Sequence, residues 1–441
     1  MNETPSPTTA TPSNKSALLI VFFVVVVDLL GFGIVLPLLP VTGNEYAKAL
    51  FPEMEAASRE RVSGPIIGLL MASFSLMQFV FAPIWGRVSD RIGRRPVLVV
   101  GLVGSVLFYG LFGYAAGISP QENAVFALSL LFLARIGAGI AGATISTAQA
   151  VIADSTAPEK RKHGMALIGA AFGIAFTFGP LLGALALYLV QNERLAMSYT
   201  GYIASGLSFV ALILAATILP ETRKADAPGT QRKWFDVGAL KLVVATSAIA
   251  PVVLTFFLAT LGFGAFETTL AMLIRDALEI PKKYTYWFFA YTGFVLMIAQ
   301  GLIYRRLAKR VSEVTFMVSG IVMMAAGVIG LAGVSYLAYA RVDLPGVRLS
   351  LMLVAMATAV VGFAFLTPSA QALISRRAPA EKQGEVLGFN QSASAMARIL
   401  GPIFGLSLYK LTSSHMLPFL FGSLLLLAML PLIPRIRRGE G

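Results

Sequence analysis

Long apolar runs alternate with short polar segments along the whole chain. A bilayer core of about 30 Å needs roughly 20 apolar residues in a helix, and on that criterion the pattern predicts twelve spans. They cover approximately residues 16 to 40, 64 to 85, 96 to 117, 124 to 150, 164 to 190, 196 to 219, 243 to 270, 286 to 304, 314 to 339, 348 to 375, 384 to 409 and 416 to 434. We therefore predict an all-α membrane protein with twelve transmembrane helices.

The composition agrees with a membrane protein. Of the 441 residues, 57% are hydrophobic and 13% are charged, whereas a soluble domain has about 25% charged residues. The net charge of +13 would favour nucleic acid only if the basic residues formed one solvated face. Instead, the predicted loops on the side of the termini hold 23 lysines and arginines against 10 on the other side, where Arg348 at the edge of a span is included. The positive-inside rule therefore predicts cytoplasmic termini in the plasma (inner) membrane, with no nucleic acid partner.

The residue types argue against an enzyme. There are no cysteines, which excludes disulfides, thiolate metal sites and cysteine nucleophiles, and the two histidines, His163 and His415, lie far apart. We see no phosphate-binding loop, and the predicted loops are too short for a soluble catalytic or signalling domain. We expect no metal and no cofactor, and a polytopic enzyme or sensor is a remote alternative.

The chain divides into five segments. Residues 1–15 form a Pro/Thr/Ser-rich tail that we expect to be disordered. The apolar run that follows is too long for a signal peptide, so it is predicted as helix 1. The polar stretch 220–242 is predicted as a cytoplasmic central loop between two six-helix bundles, 16–219 and 243–434, and residues 435–441 as a cytoplasmic tail.

The two predicted bundles resemble each other. TISTAQAVIA at 144–153 matches LTPSAQALIS at 366–375, and Gly179-Pro180 matches Gly401-Pro402. The spacing between the matching segments is constant, which favours a duplicated six-helix unit over chance similarity. Two six-helix halves of the same orientation are typical of alternating-access transporters, whose substrate binds between the halves near the middle of the membrane.

Three motifs resemble those of the major facilitator superfamily, in particular its drug:proton antiporters and the tetracycline-efflux-like branch. The loop between helices 2 and 3, GRVSDRIGRR, is similar to a superfamily signature, and Arg135 followed by Gly139 is similar to its helix 4 motif. The resemblance implies a gating role in the first motif for Gly86, Asp90, Arg91, Gly93, Arg94 and Arg95. In helix 5 it implies an antiporter motif at Gly169, Gly173, Gly179, Pro180 and Gly183.

The loop motif also has a physical interpretation. Gly86 and Gly93 permit a sharp turn and close approach of helices. The resemblance places Asp90 at the N-terminus of helix 11, near Gly384, where a helix carries partial positive charge. Asp90 would then tie the two halves together when the cytoplasmic side is closed, with the arginines contacting acids and lipid headgroups. Plain positive-inside anchoring is the alternative.

Two ionisable residues in the first half are candidates for proton coupling. Asp28 lies near the middle of helix 1, and an acid at that depth costs at least about 2.5 to 3.5 kcal/mol on insertion scales, so it should face a cavity. Arg135 in helix 4 is a fixed positive charge and a possible partner of Asp28. The alternatives are a structural aspartate and an arginine that braces helix 4.

The second half offers another acid and base. Glu267 lies in helix 7, after an LGFG at 261–264 that repeats the LGFG at 30–33 of helix 1. It is a second candidate for proton coupling, or a solvated residue near the outer end. Arg398 in helix 11 is predicted either to bind an anionic group or to pair with an acid.

Uncharged polar side chains inside spans are able to hydrogen-bond a substrate, and the alternative for each is a hydrogen bond that joins two helices. With Arg398, the possible substrate-cavity residues are Gln78, Gln149, Gln300, Asn390 and Gln391.

Together these features predict a monomeric transporter that exports a small amphipathic drug or metabolite in exchange for protons. The helix 5 motif favours export. A proton-coupled symporter or facilitator for a nutrient such as an organic acid or sugar is the alternative.

Overall fold

The computed structural model describes residues 15–155, 161–190, 192–223, 243, 246, 248–378 and 383–437. Most of the predicted N-terminal tail and central loop, and residues 438–441, lie outside this part. Between the predicted central loop and the N-terminus are eight helices: α1 (Lys15–Val35), α2 (Leu39–Ala49), α3 (Ala56–Ile92), α4 (Arg94–Gly117), α5 (Pro120–Gly142), α6 (Ile145–Asp154), α7 (Arg161–Leu189) and α8 (Glu193–Thr217).

Seven helices follow the central loop: α9 (Ala250–Leu278), α10 (Lys282–Ile298), α11 (Glu313–Tyr339), α12 (Pro345–Arg377), α13 (Gln383–Leu411), α14 (Leu417–Leu427) and α15 (Ile433–Arg437). A π-helical turn, Ala299–Tyr304, extends α10. In the described part of the chain, nine helical segments are long and apolar enough to cross a membrane. The spans in α7, α13 and α14 complete the predicted twelve, and the all-α architecture is confirmed.

Three predicted spans are interrupted. The last one, 416–434, is divided between α14 and α15 by a turn and a short 3-10 helix, Leu430–Leu432. Helix 1 ends at Val35, and after a turn that contains Pro37 the chain continues as α2. Helix 4 is divided between α5 and α6 by a turn at Ala143 and Thr144. Other helices extend well beyond the hydropathy window, and α3 alone has 37 residues. At 1.5 Å per residue its length is about 55 Å, so it projects beyond the apolar core of the bilayer.

The helix packing repeats between the halves in the way that the sequence repeat predicts. In the first half, Gly179 of α7 packs on Gly33 of α1, and a Cβ added at Gly179 would lie 2.8 Å from Gly33 Cα. In the second half the matching Gly401 of α13 packs on α9, where an added Cβ would lie 2.9 Å from the Leu261 carbonyl oxygen. Glycine permits these close backbone approaches because it has no side chain.

The two halves meet at one end of the molecule. We call the end that carries the loop at Gly93 the inner end, and the opposite end the outer end. Near the outer end, a Cβ added at Gly64 of α3 would lie 2.7 Å from the Leu406 carbonyl oxygen of α13. On the other side of the interface, the Tyr286 hydroxyl of α10 donates to the Ile34 carbonyl oxygen of α1 at 2.9 Å.

Toward the inner end the same interface helices are separated. A Cβ added at any of four glycines there would meet no atom within 4 Å, and these glycines are Gly86 of α3, Gly173 of α7, Gly301 after α10 and Gly388 of α13. The outer parts of these helices are in contact, whereas none of these four described inner positions touches the other half. We infer from this difference a cleft between the halves that opens at the inner end.

Candidate transport site

Asp28 lies in the middle of α1 and is half-buried. Its Oδ1 accepts a hydrogen bond from the Ser105 hydroxyl of α4 at 2.8 Å. Four valines before it, 24 to 27, are buried. Among the described residues, no basic side chain lies within the 4.0 Å of a salt bridge from Asp28. This carboxyl group therefore has a neutral partner and remains available to a proton or a ligand.

Arg135 is not paired with Asp28. Its side chain is 2% exposed, and its guanidinium carbon lies 4.6 Å from the Phe74 ring centroid and 5.7 Å from that of Phe32. Its Nε and Nη1 have no hydrogen-bond partner in the described part of the chain. Ring faces thus take the place of the expected carboxylate.

The second half places Glu267 and Arg398 on two helices that pack together. Glu267 of α9 is half-buried and Arg398 of α13 is exposed, and Gly401, three residues after Arg398, packs on α9. Arg398 Nη1 donates to the Ser394 hydroxyl oxygen at 2.9 Å. The position of Arg398 is therefore compatible with an acidic partner and also with an anionic ligand.

The uncharged polar residues divide into two groups. Gln78 donates to the Gly142 carbonyl oxygen and Gln300 to the Thr367 hydroxyl, each at 3.4 Å, so both join helices within one half. Gln149 is half-buried and Gln391 is exposed. Asn390 is 1% exposed and its Oδ1 has no partner within the described residues.

The helix 5 motif lies in α7, where its members have different surroundings. Gly173 faces the open inner part of the cleft, Gly179 packs on α1, and Pro180 lies within the helix. Gly183 contacts the Tyr286 ring of the other half. The surroundings of Gly169 are outside the described part. Gly183 is thus the member of the motif that lies where the two halves are in contact.

Asp90 contacts its own half. Its Oδ1 accepts from Arg94 Nη1 at 2.5 Å, and Arg94 Nε lies 3.2 Å from Asp154 Oδ2 of α6. Arg95 donates to the Ala216 carbonyl oxygen, and the Arg91 carbonyl oxygen accepts from Arg223. Because the inner end is open, this arrangement does not test the proposed contact between Asp90 and the start of α13, which stays a prediction.

Gly93 and Glu221 close the turn between α3 and α4. Gly93 has φ +109°, a conformation that disfavours other residues, and an added Cβ would collide with the Glu221 carboxylate. Glu221 accepts from the backbone N–H groups of Arg94 and Arg95 at 2.9 and 3.1 Å. Burial acts to raise the pKa of Glu221, but the backbone hydrogen bonds outweigh it and lower that pKa. Glu221 caps α4, a role that the sequence analysis missed.

Glu221→Gln is expected to reduce thermal stability at neutral pH. Because the folded-state pKa is lowered, the stabilising contribution is fully present above the unfolded value of 4.5 and is lost as the pH falls through the folded pKa. Replacing a helix cap costs roughly 0.5 to 2 kcal/mol, and the exposure of Glu221 favours the lower end. Melting temperatures in detergent should differ between wild type and variant at pH 7 and converge in acid. A difference that stays constant with pH would contradict the assignment.

A second charged cluster, also missed from the sequence, lies at the closed outer end. Lys410 of α13 is 4% exposed, and its Nζ lies 2.7 Å from Glu60 Oε2 of α3. Glu60 also pairs with Lys48 of α2. Lys410 directly follows the predicted span 384 to 409. A basic residue next to the end of a span does not by itself indicate a partner. Here it forms an ion pair between the two halves.

Comparison with known proteins agrees with this architecture. The sequence profile of the Major Facilitator Superfamily matches residues 21–402, with a second match over 252–441. The chain belongs to the major facilitator superfamily. The resemblance seen in its motifs is thus confirmed, and this superfamily chain is an integral, multi-pass membrane transporter and not an enzyme.

Individual relatives of this superfamily chain differ in their described substrates. It is 28% identical to the class D tetracycline resistance protein of Salmonella ordonez over 88% of each chain. The human organic anion transporter MFSD10 has a similar structure, with a TM-score of 0.60, 24% identity and coverage of 96% of this chain and 100% of the other. A D-xylose-proton symporter gives a TM-score of 0.76 at 16% identity, covering 96% and 99%. The two structural likenesses show the fold alone.

Proposed function

We propose that this superfamily transporter exports a small amphipathic compound in exchange for protons by alternating access. The observation that carries the proposal is Asp28, a half-buried carboxyl group in the middle of a span with one neutral hydrogen-bond donor. The relationship to tetracycline resistance proteins supports export. One charge that crosses 100 mV contributes about 2.3 kcal/mol, which is enough to drive concentration of a substrate.

In this mechanism, Asp28 binds either a proton or the substrate. In the inner-open state the cleft admits substrate, which displaces the proton from Asp28. Closure of the inner end then exposes the site to the outside, where a proton displaces the substrate. Arg135, held by Phe32 and Phe74 with no carboxylate partner among the described residues, supplies a fixed positive charge in the first half.

Proton flux in liposomes tests the proposal. The purified chain is reconstituted with a pH-sensitive dye inside, a proton gradient is imposed, and a panel of amphipathic drugs is added. Drug-triggered proton release from the proton-rich side supports antiport, and protein-free liposomes are the control. Proton movement in the same direction as the added compound would contradict export by antiport.

The second candidate function is proton-coupled transport of an organic acid or sugar. It is favoured by Arg398, an exposed guanidinium in the same cleft, because a fixed positive charge attracts an anion. The opposite sign of substrate-triggered proton flux, with protons and substrate moving in the same direction, distinguishes this function from antiport.

A further inference from the structure

Arg398 lies on the face of α13 that lines the cleft. Gln391 and Ser392, about two turns earlier, are exposed, and a Cβ added at Gly388 would meet no atom within 4 Å. Farther along α13, Pro402, four residues after Arg398, packs on α3, where a Cβ added at Gly68 would lie 3.1 Å from the Pro402 carbonyl oxygen. Residues three, four and seven apart share a helix face. The face of α13 that carries Arg398 therefore touches the other half near the outer end. Toward the inner end, the same side of α13 borders open space.

The guanidinium of Arg398 is incompletely satisfied. A guanidinium has five N–H donors, and the hydrogen bond to Ser394 is the only one that Arg398 makes within the described residues. Glu267 lies on α9, the helix against which Gly401, three residues after Arg398, packs, yet among the described residues the two side chains are not within the 4.0 Å of a salt bridge. A charge inside the membrane is costly and usually marks a substrate or ion pathway. Arg398 is thus accessible, charged and without a directly bound acid.

We propose that Arg398 binds a carboxylate of the transported compound, and that Glu267 competes with this carboxylate for the guanidinium. A planar guanidinium matches a carboxylate through two parallel hydrogen bonds. The proposal rests on transport through the cleft, the proposed function, but not on whether protons move with or against the substrate.

Aromatic residues next to this site favour an acid with an apolar body. Phe263 lies one turn before Glu267 on α9, so the two share a helix face. Its ring stacks on Phe363 of α12, with ring centroids 3.9 Å apart, and both rings are half-buried. This apolar surface lies one helical turn from Glu267, the acid that competes for Arg398 in the proposal. The expected substrate class is therefore an amphipathic monocarboxylate.

Binding of a matched acid and amide tests the proposal. The probes are 2-naphthoate and 2-naphthamide, whose own fluorescence reports binding to the full chain in detergent by polarisation. The wild type should bind naphthoate at least about tenfold more tightly than naphthamide, the discrimination expected of a good bidentate arginine contact. Arg398→Gln should remove the difference, and Arg398→Lys should retain part of it.

Glu267→Gln provides the sharper test, because it removes the competing carboxylate and leaves Arg398 in place. It should bind naphthoate severalfold more tightly than the wild type, with naphthamide binding unchanged. Arg306→Gln, at an exposed position beyond α10, is the charge-matched control and should leave both affinities unchanged.

Three results would overturn the proposal: no saturable naphthoate binding, equal binding of acid and amide by the wild type, or a preference for the acid that survives in Arg398→Gln. If Arg398→Gln does not fold, weaker or unchanged naphthoate binding by folded Glu267→Gln also overturns it. Failure of antiport would appear separately, as absence of drug-triggered proton release while naphthoate binding persists.

Discussion

Asp28→Asn is expected to reduce drug-triggered proton flux to the level of protein-free liposomes. The variant keeps a side chain of the same shape, and its amide oxygen can still accept the hydrogen bond that Ser105 donates to Asp28 at 2.8 Å. It cannot bind and release a proton. The expected loss therefore concerns coupling and not the packing of α1 against α4.

A second measurement separates lost coupling from a damaged protein. Exchange of labelled for unlabelled drug at equal concentrations needs the conformational change and the binding site, but no net proton movement. Asp28→Asn should therefore retain exchange. Ser105→Ala is the matched control, because it removes the hydrogen-bond donor and keeps the carboxyl group, and it should retain both exchange and coupled flux.

Coupled flux in Asp28→Asn and in Glu267→Gln together identifies the acid that couples transport to protons. If Asp28→Asn retains coupled flux and Glu267→Gln loses it, the essential acid lies on α9 in the second half. If both variants lose flux, each carboxyl group is required for coupling. Coupled flux that persists in both single variants and in the double variant would contradict a role for either acid.

Hydropathy predicted the spans because the hydrophobic effect acts on each span separately. It did not predict where helices break. Pro37 lies in the turn after α1, but Pro65, Pro83 and Pro180 lie inside continuous helices. A proline removes one backbone hydrogen bond wherever it occurs, and neighbouring helices determine whether the helix continues. That information is in the tertiary packing and not in the local sequence.

The candidate site was predicted in part. Charged residues within spans are conspicuous in a sequence, so Asp28, Arg135, Glu267 and Arg398 could be selected from it. Their partners could not, since a partner depends on helix rotation and distance. The alignment of glycines predicted the packing of the repeat, because Gly179 and Gly401 occupy matching contacts. The Glu60–Lys410 pair was missed because its residues are far apart in the chain and lie near span ends.

Gly64→Leu is expected to abolish transport by preventing closure of the outer end. An added Cβ at Gly64 would lie 2.7 Å from the Leu406 carbonyl oxygen, 3.0 Å from Lys410 Cβ and 3.2 Å from Ser407 Cα. Two of these three atoms are backbone, so the contact has little room to adjust. A leucine would therefore separate α3 from α13 and also disrupt the Lys410–Glu60 ion pair.

The matched control is Gly206→Leu on α8. An added Cβ there would meet no atom within 4 Å, so the same substitution should leave transport intact. The absence of native cysteines allows a single introduced cysteine, Gln391→Cys on the exposed cleft face, to report the state of the inner end through its rate of alkylation by a maleimide. Gly64→Leu should slow this labelling, and Gly206→Leu should not.

Labelling and transport together distinguish a shifted equilibrium from a misfolded protein. A transporter that alternates between two closures must open one end when the other is closed, so a Gly64→Leu protein held open at the outer end should have its inner end closed. Loss of transport with unchanged labelling at position 391 would mean that the two ends are not coupled in this way. Transport at the wild-type rate would mean that the α3–α13 contact at Gly64 is not needed in the cycle.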